Sequence, residues 1–146
     1  MTQLLVKRLH PDAILPIKAT PESAGWDLSV LSVENDGIGW TVHTGLAIAM
    51  KPGHVMMLFP RSGLGTKLGL GLRNTVGIID SDYRGEIMIK LNRGFYDAQE
   101  YVLDTLKPGS RIAQGIVFEV PTVDLIVTDE LPSSVRGTGG FGSTGT

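Results

Sequence analysis

Cysteine is absent from the 146-residue chain, and histidine occurs only three times, at His10, His43 and His54, with no short spacing among them. A disulfide framework and a cysteine nucleophile are thereby excluded, and a zinc cluster lacks ligands. Charge is sparse and balanced: 19% of residues are charged, and 13 Lys and Arg against 15 Asp and Glu leave a net charge of −2. That balance excludes a generic basic coat for nucleic acid and leaves room only for a local basic site. No apolar run approaches the roughly 20 residues a membrane helix needs. The opening MTQLLVKRLHPD has neither a sustained apolar core nor a small-residue cleavage pattern, so it does not read as a signal peptide. The expectation is a cytoplasmic protein without a nucleic-acid or membrane partner.

What is present points to one domain with a real core. The chain is 42% hydrophobic and of single-domain length. Its 19 glycines and 8 prolines are spread as turn punctuation between short segments rich in β-branched and aromatic residues. Strands are expected over Gln3–Leu9, Trp26–Val33, Trp40–Met50, His54–Phe59, Gly85–Leu91, Arg111–Val120 and Val123–Val127. In the fifth of these Ile87, Ile89 and Leu91 share one face, and Glu86, Met88 and Lys90 the other. Many short strands favour an all-β sandwich or barrel. Leu64–Leu72, with leucines at mixed spacings and three glycines, allows at most one short helical turn. Trp26 and Trp40 read as core residues, and the three histidines, without acidic or hydroxyl partners at suggestive spacing, as surface or packing residues.

Three segments could carry chemistry. Pro60-Arg61-Ser62-Gly63 offers a planar guanidinium, a hydroxyl and a closely approachable backbone to phosphate oxygens, although an exposed turn is the commoner meaning of such a run. Asp80-Ser81-Asp82-Tyr83-Arg84-Gly85-Glu86 places an acid at the end of the apolar run Val76–Ile79, where partial desolvation would suit a general base. Its composition fits a hairpin turn equally well. The terminal Arg136–Thr146 stretch, RGTGGFGSTGT, cannot fill a core; it is either a plain mobile end or a loop whose N–H groups and hydroxyls wrap phosphate. Gln114, a polar residue in an apolar strand, either faces solvent or serves a site.

Five blocks in order change these odds. They are Ala24-Gly25-Trp26-Asp27-Leu28, Pro60 to Gly65, Asn74 to Glu86, Gly109-Ser110-Arg111-Ile112-Ala113-Gln114, and Arg136 to Gly145. Together they resemble the motifs of the trimeric dUTPase family across nearly the whole chain. The resemblance departs at Ser110, where an acid is common, at Gly65, where Ala is common, and at Trp26, a variable position.

The resemblance implies a distorted jelly-roll β-barrel over residues 1–135, with residues 136–146 as a mobile Gly-rich tail of the same domain. It implies a homotrimer with shared active sites that hydrolyses dUTP to dUMP and pyrophosphate with Mg²⁺, keeping uracil out of DNA and supplying dUMP for dTMP synthesis. Asp80 would activate the water and Gln114 hold it. Arg61, Ser62 and Gly63 would contact phosphates; Asn74, with the backbone near Gly77, Ile78, Ile79 and Met88, would read uracil. Tyr83 would pack under the deoxyribose and exclude a ribose hydroxyl. Arg136, Gly142, Ser143 and Thr144 would close over the phosphates while Phe141 stacks on the base. Asp27 would stand near the metal, through water or an arginine rather than as a direct ligand. A dCTP deaminase relative and a nucleotide-sensing regulatory protein are the competing readings, and viral and phage members of the family leave the source open.

Overall fold

The computed structural model describes residues 3–93 and 99–140. Nine antiparallel strands dominate them: β1 (Leu4–Arg8), β2 (Trp26–Ser29), β3 (Ser32–Asn35), β4 (Trp40–His43), β5 (Leu46–Met50), β6 (His54–Pro60), β7 (Gly77–Asp80), β8 (Met88–Leu91) and β9 (Arg111–Glu119). Two seven-residue helices interrupt them, α1 (Ser62–Leu68) and α2 (Gln99–Thr105). The strands form sheets in the orders β1-β5, β2-β9-β6-β7 and β3-β4-β8. No helix among the described residues is long and apolar enough to cross a membrane.

Two expected long strands are each broken where the chain changes sheet. Trp26–Val33 pairs with β9 as far as Ser29, shifts register between Leu28 and Ser29, and continues as β3 against β4. At the corner the Val30 N–H donates to the Ser110 carbonyl and the Leu31 N–H to that of His43, both at 2.8 Å, so both donors stay bonded through the crossing. Trp40–Met50 breaks at Thr44-Gly45. Gly45 takes φ 65°, and a Cβ there would lie 2.7 Å from Leu31 Cδ2, so turn and packing both require glycine. The buried Thr44 hydroxyl donates to the Ile87 carbonyl at 2.7 Å and ties the corner to the chain entering β8.

The core lies between the sheets. Leu28, Val42, Leu46, Met56, Leu58, Ile87, Ile89, Leu91 and Ile112 are essentially inaccessible. The alternation expected at Ile87, Ile89 and Leu91 holds, with Met88 and Lys90 facing out. Trp40 is core as expected; Trp26 is half-buried, with the Lys18 ammonium 5.5 Å over its ring.

Other expectations need correction. The helix at Ser62–Leu68 is two turns rather than one, because Leu64 and Leu68, four apart, both bury against the core, and Gly69 at φ 64° closes its end. The strand ending at Leu91 begins at Met88 rather than Gly85. Glu86 is held away from the ladder by its side chain, which accepts the Gly45 N–H at 2.8 Å. Val123–Val127 forms no strand. Val123, Leu125, Ile126 and Val127 are 79–89% exposed, and no strand of the described residues pairs with them.

Candidate active site

Two clefts gather most of the expected site residues into separate groups. The first, about 250 Å³, is lined by Asn74, Gly77, Ile78, Ile79, Asp80, Tyr83, Glu86, Met88 and Lys90, over a floor that includes Leu58 and Ile89. Its walls come from β7 and β8, each the last strand of its sheet. The outer side of β7 presents backbone N–H and C=O groups without a strand partner, the pattern of donors and acceptors that a flat polar ring can pair with, whereas that of β8 is bridged at Leu91 by Leu72. Ile78 and Met88, 53% and 44% exposed, set apolar edges beside those polar groups. Gly77 packs against Leu58, where a Cβ would approach Leu58 Cβ at 3.0 Å.

The turn after β7 fixes Tyr83. Its N–H donates to the Asp80 carbonyl at 3.2 Å and its hydroxyl to the Glu86 carbonyl at 3.1 Å. Gly85 makes room for that ring: a Cβ at position 85 would lie 2.3 Å from the hydroxyl oxygen. Arg84 braces the turn through the Ser81 and Tyr83 carbonyls, both at 2.8 Å. Asp80 is exposed, contrary to the expected desolvation, because it ends β7, an outer strand of its sheet.

The second cleft, about 300 Å³, is lined by Ser23, Ala24, Gly25, Asp27, Arg61, Ser62 and Gln114. Here β2 and β9 pair Asp27 with Gln114, and β6 delivers Phe59 opposite Gln114 and then Arg61 and Ser62 at the entry to α1. The first N–H groups of a helix lack internal acceptors, which suits an anion. Asp27, 12% exposed at its side chain, accepts from Arg111 Nη1 at 3.0 Å and faces Arg61 Nε at 3.3 Å. The carboxylate therefore orients two guanidinium groups at the rim. Gly25 leaves room for the Gln114 side chain: a Cβ there would lie 2.8 Å from Gln114 Oε1.

These two groups are far apart in one chain. Asp80 sits opposite Val55 on β6, whereas Gln114 sits opposite Phe59. Four residues of rise and two strand spacings separate them, about 16 Å. Arg136 joins neither cleft; its Nε donates to the nearby Gly139 carbonyl at 2.8 Å. Phe141, Gly142, Ser143 and Thr144 lie outside the described residues.

Several contributors were not visible in local sequence. Arg111 stands in the fourth block but gained a role only through Asp27, 84 positions away. His43 lies between two acids, with Nδ1 3.0 Å from Glu86 and Nε2 3.8 Å from Glu34, contacts that sequence spacing does not show. Among the described residues Asp36 is the most perturbed acid. Burial acts to raise its pKa, but hydrogen bonds from Thr41, Arg73 and the Ile38 N–H, with the Arg73 charge, bring it from 3.8 down to about 2.

The family model described as dUTPase matches residues 11–145. The deoxyuridine 5'-triphosphate nucleotidohydrolase of Wolinella succinogenes is 43% identical over 141 residues, spanning 94% of this chain and 91% of that protein. That of Bordetella avium is 46% identical over 138 residues, spanning 90% and 88%. The structure of the Staphylococcus bacteriophage 80alpha dUTPase with dUPNHPP superposes with a TM-score of 0.80 at 25% identity, covering 99% of both chains. An all-β, distorted jelly-roll chain with two polar clefts of this kind is a nucleotide-handling protein by fold and relatives. The chain belongs to the dUTPase family.

Proposed function

We propose that this protein hydrolyses dUTP to dUMP and pyrophosphate, with Asp80 as the base for the attacking water. The observation that supports this most is the common cleft of Asn74, Tyr83, Met88 and Asp80, a base-reading wall, a ring for the sugar and a carboxylate in sequence along one surface. Asn74 and the backbone of Gly77, Ile78, Ile79 and Met88 read the uracil edge. Tyr83, locked by the Glu86 carbonyl, packs against the deoxyribose and leaves no space for a 2′-hydroxyl. Asp80 takes a proton from water as its oxygen bonds to the α-phosphorus, and the bond from that phosphorus to the bridging oxygen breaks, releasing pyrophosphate. Gln114 holds the water, and Arg61, Ser62 and Gly63 bind phosphate oxygens as charge builds on them.

Mg²⁺ fits this site as an ion carried by the nucleotide. Among the described residues no three His, Cys, Asp or Glu side chains converge, and the Asp27 carboxylate is already engaged by Arg61 and Arg111. When bound with the nucleotide, the ion would supply charge neutralisation, and Asp27 would stand near it through water rather than as a direct ligand.

The same geometry supports a homotrimeric assembly. Each cleft alone is at or below the low end of the roughly 300–1,000 Å³ typical of ligand pockets. The Asp80 and Gln114 groups, about 16 Å apart by strand spacing, cannot serve one phosphate within a chain. A homotrimer that sets the first cleft of one subunit against the second of its neighbour brings them together. The exposed apolar run Val120, Val123, Leu125, Ile126, Val127, Leu131 and Val135 needs cover that a neighbour supplies. Residues 1–135 then form the barrel unit, and residues 136–146 a lid in which Arg136, Gly142, Ser143 and Thr144 close on phosphates and Phe141 on uracil. The bacterial origin of the similar proteins supports a cytoplasmic location.

Pyrophosphate release from dUTP, with dCTP, dTTP and UTP in parallel, tests the reading in wild type and Asp80→Asn. Rapid Mg²⁺-dependent turnover of dUTP alone, lost in the variant, is the expected result. Tight binding without turnover would make the protein a sensor, and ammonia release from dCTP a deaminase.

A further inference from the structure

Arg73, immediately before Asn74, is anchored at both ends. Its backbone N–H donates to the Lys90 carbonyl at 2.8 Å. Its guanidinium reaches the turn between β3 and β4, where Nη2 donates to Asp36 Oδ1 and Oδ2 and to the Leu91 carbonyl, each at 3.0 Å. Neither residue belongs to the five blocks that carry the family resemblance at that turn, and the sequence offers no local reason for their pairing across 37 positions.

The receiving turn is built to hold still. Asp36 also accepts the Thr41 hydroxyl at 3.0 Å and the Ile38 N–H at 3.3 Å, and Lys90 Nζ lies 3.6 Å from it. Arg93 donates to the Gly37 carbonyl at the tip of the turn. Gly39 is needed for the approach: a Cβ would fall 2.1 Å from the Leu91 carbonyl oxygen and 2.6 Å from Arg73 Nη2.

What lies downstream needs an anchor. Thr75 takes φ 65°, the left-handed region that a β-branched residue rarely occupies. Its N–H donates to the Leu72 carbonyl at 3.0 Å, and that of Val76 to the Asn74 carbonyl at 2.7 Å, so Asn74 sits at the crest of a tight, strained bend. Such a conformation persists only when its surroundings over-determine it. Lys90 lines the same cleft as Asn74. One carboxylate, Asp36, thus holds two parts of the cleft wall, Lys90 directly and Asn74 through Arg73.

We propose that Arg73, clamped by Asp36, is a positioning residue for nucleobase recognition, fixing the bend that presents Asn74 to the uracil edge. This rests on the reading of Asn74 as a uracil contact. A misplaced recognition group weakens discrimination out of proportion to any loss of fold.

Steady-state kinetics with dUTP and dCTP, alongside thermal melting, test it in Arg73→Met, Arg73→Lys, Asp36→Asn and Asn74→Ala. Arg73→Met should raise the dUTP KM by about 10-fold with kcat altered less than about threefold, and lower the dUTP preference over dCTP in the direction of Asn74→Ala. Arg73→Lys should recover part of the loss, because one donor still reaches Asp36. If Arg73→Met does not fold, Asp36→Asn carries the test, with a smaller change of the same sign. Lowered melting temperature with wild-type KM and preference in a folded clamp variant would overturn the clamp alone. A wild-type dUTP KM in Asn74→Ala would overturn the base-reading assignment and the clamp's role with it.

Discussion

Asp80 and Gln114 occupy different rows of one four-stranded sheet, the first level with Val55 of β6 and the second level with Phe59. The proposed base and the proposed water-holding amide must both touch one solvent molecule, within about 3 Å each. The sheet register forbids that in a single chain. The register therefore bears on both chemistry and assembly.

Asp80→Asn keeps the shape of the side chain and removes its basicity. Turnover of dUTP should fall by roughly 10²–10⁴-fold, the usual contribution of a general base, with KM near wild type. Pyrophosphate release across a dUTP titration separates the two parameters.

Gly25→Ala should act through Gln114. The new methyl would lie 2.8 Å from Gln114 Oε1 and push the amide off its position. Turnover should drop by about 10-fold, because displacement of a positioning group costs rate before it costs fold. Near wild-type kcat in a folded Gly25→Ala enzyme would remove Gln114 from the water site.

Gly85→Ala should act on the sugar. Its Cβ would lie 2.3 Å from the Tyr83 hydroxyl, breaking the bond to the Glu86 carbonyl. The expected result is a smaller dUTP-to-UTP ratio of kcat/KM, measured by direct competition. An unchanged ratio would mean that Tyr83 does not exclude the ribose hydroxyl.

Asp36 gives a pH signature. Its folded pKa of about 2 lies below the ordinary 3.8, so the folded state favours the charged form. That stability is fully present above about pH 4 and is lost as pH falls through the folded value. Urea melts of wild type and Asp36→Asn should differ by a constant amount near neutrality, and by progressively less between pH 3.8 and about 2. A difference that grows on acidification would contradict the ion pair with Arg73.

Local pattern revealed the strands that bury one face, as with Ile87, Ile89 and Leu91, because period-two alternation records burial directly. It could not reveal where Trp26–Val33 and Trp40–Met50 change sheets. An extended chain keeps its alternation around a corner, and only the Thr44-Gly45 turn and the bulge after Leu28 mark the event. Val123–Val127 has strand composition but no partner strand among the described residues, since pairing is a property of what lies alongside. The members of the two clefts were named from the family resemblance. The supporting contacts, Asp27 with Arg111, His43 with Glu86 and Arg73 with Asp36, join positions 84, 43 and 37 apart, where no spacing rule reaches.

Subunit complementation tests the shared site most directly. Asp80→Asn and Gln114→Ala enzymes, each nearly inactive, would be unfolded together in equal amounts and refolded as a mixture. If a site takes Asp80 from one chain and Gln114 from another, about one site in four should hold both intact residues, and the mixture should recover roughly a quarter of wild-type dUTP turnover. A mixture no more active than its two parents would place both residues in the same chain's site and contradict the account.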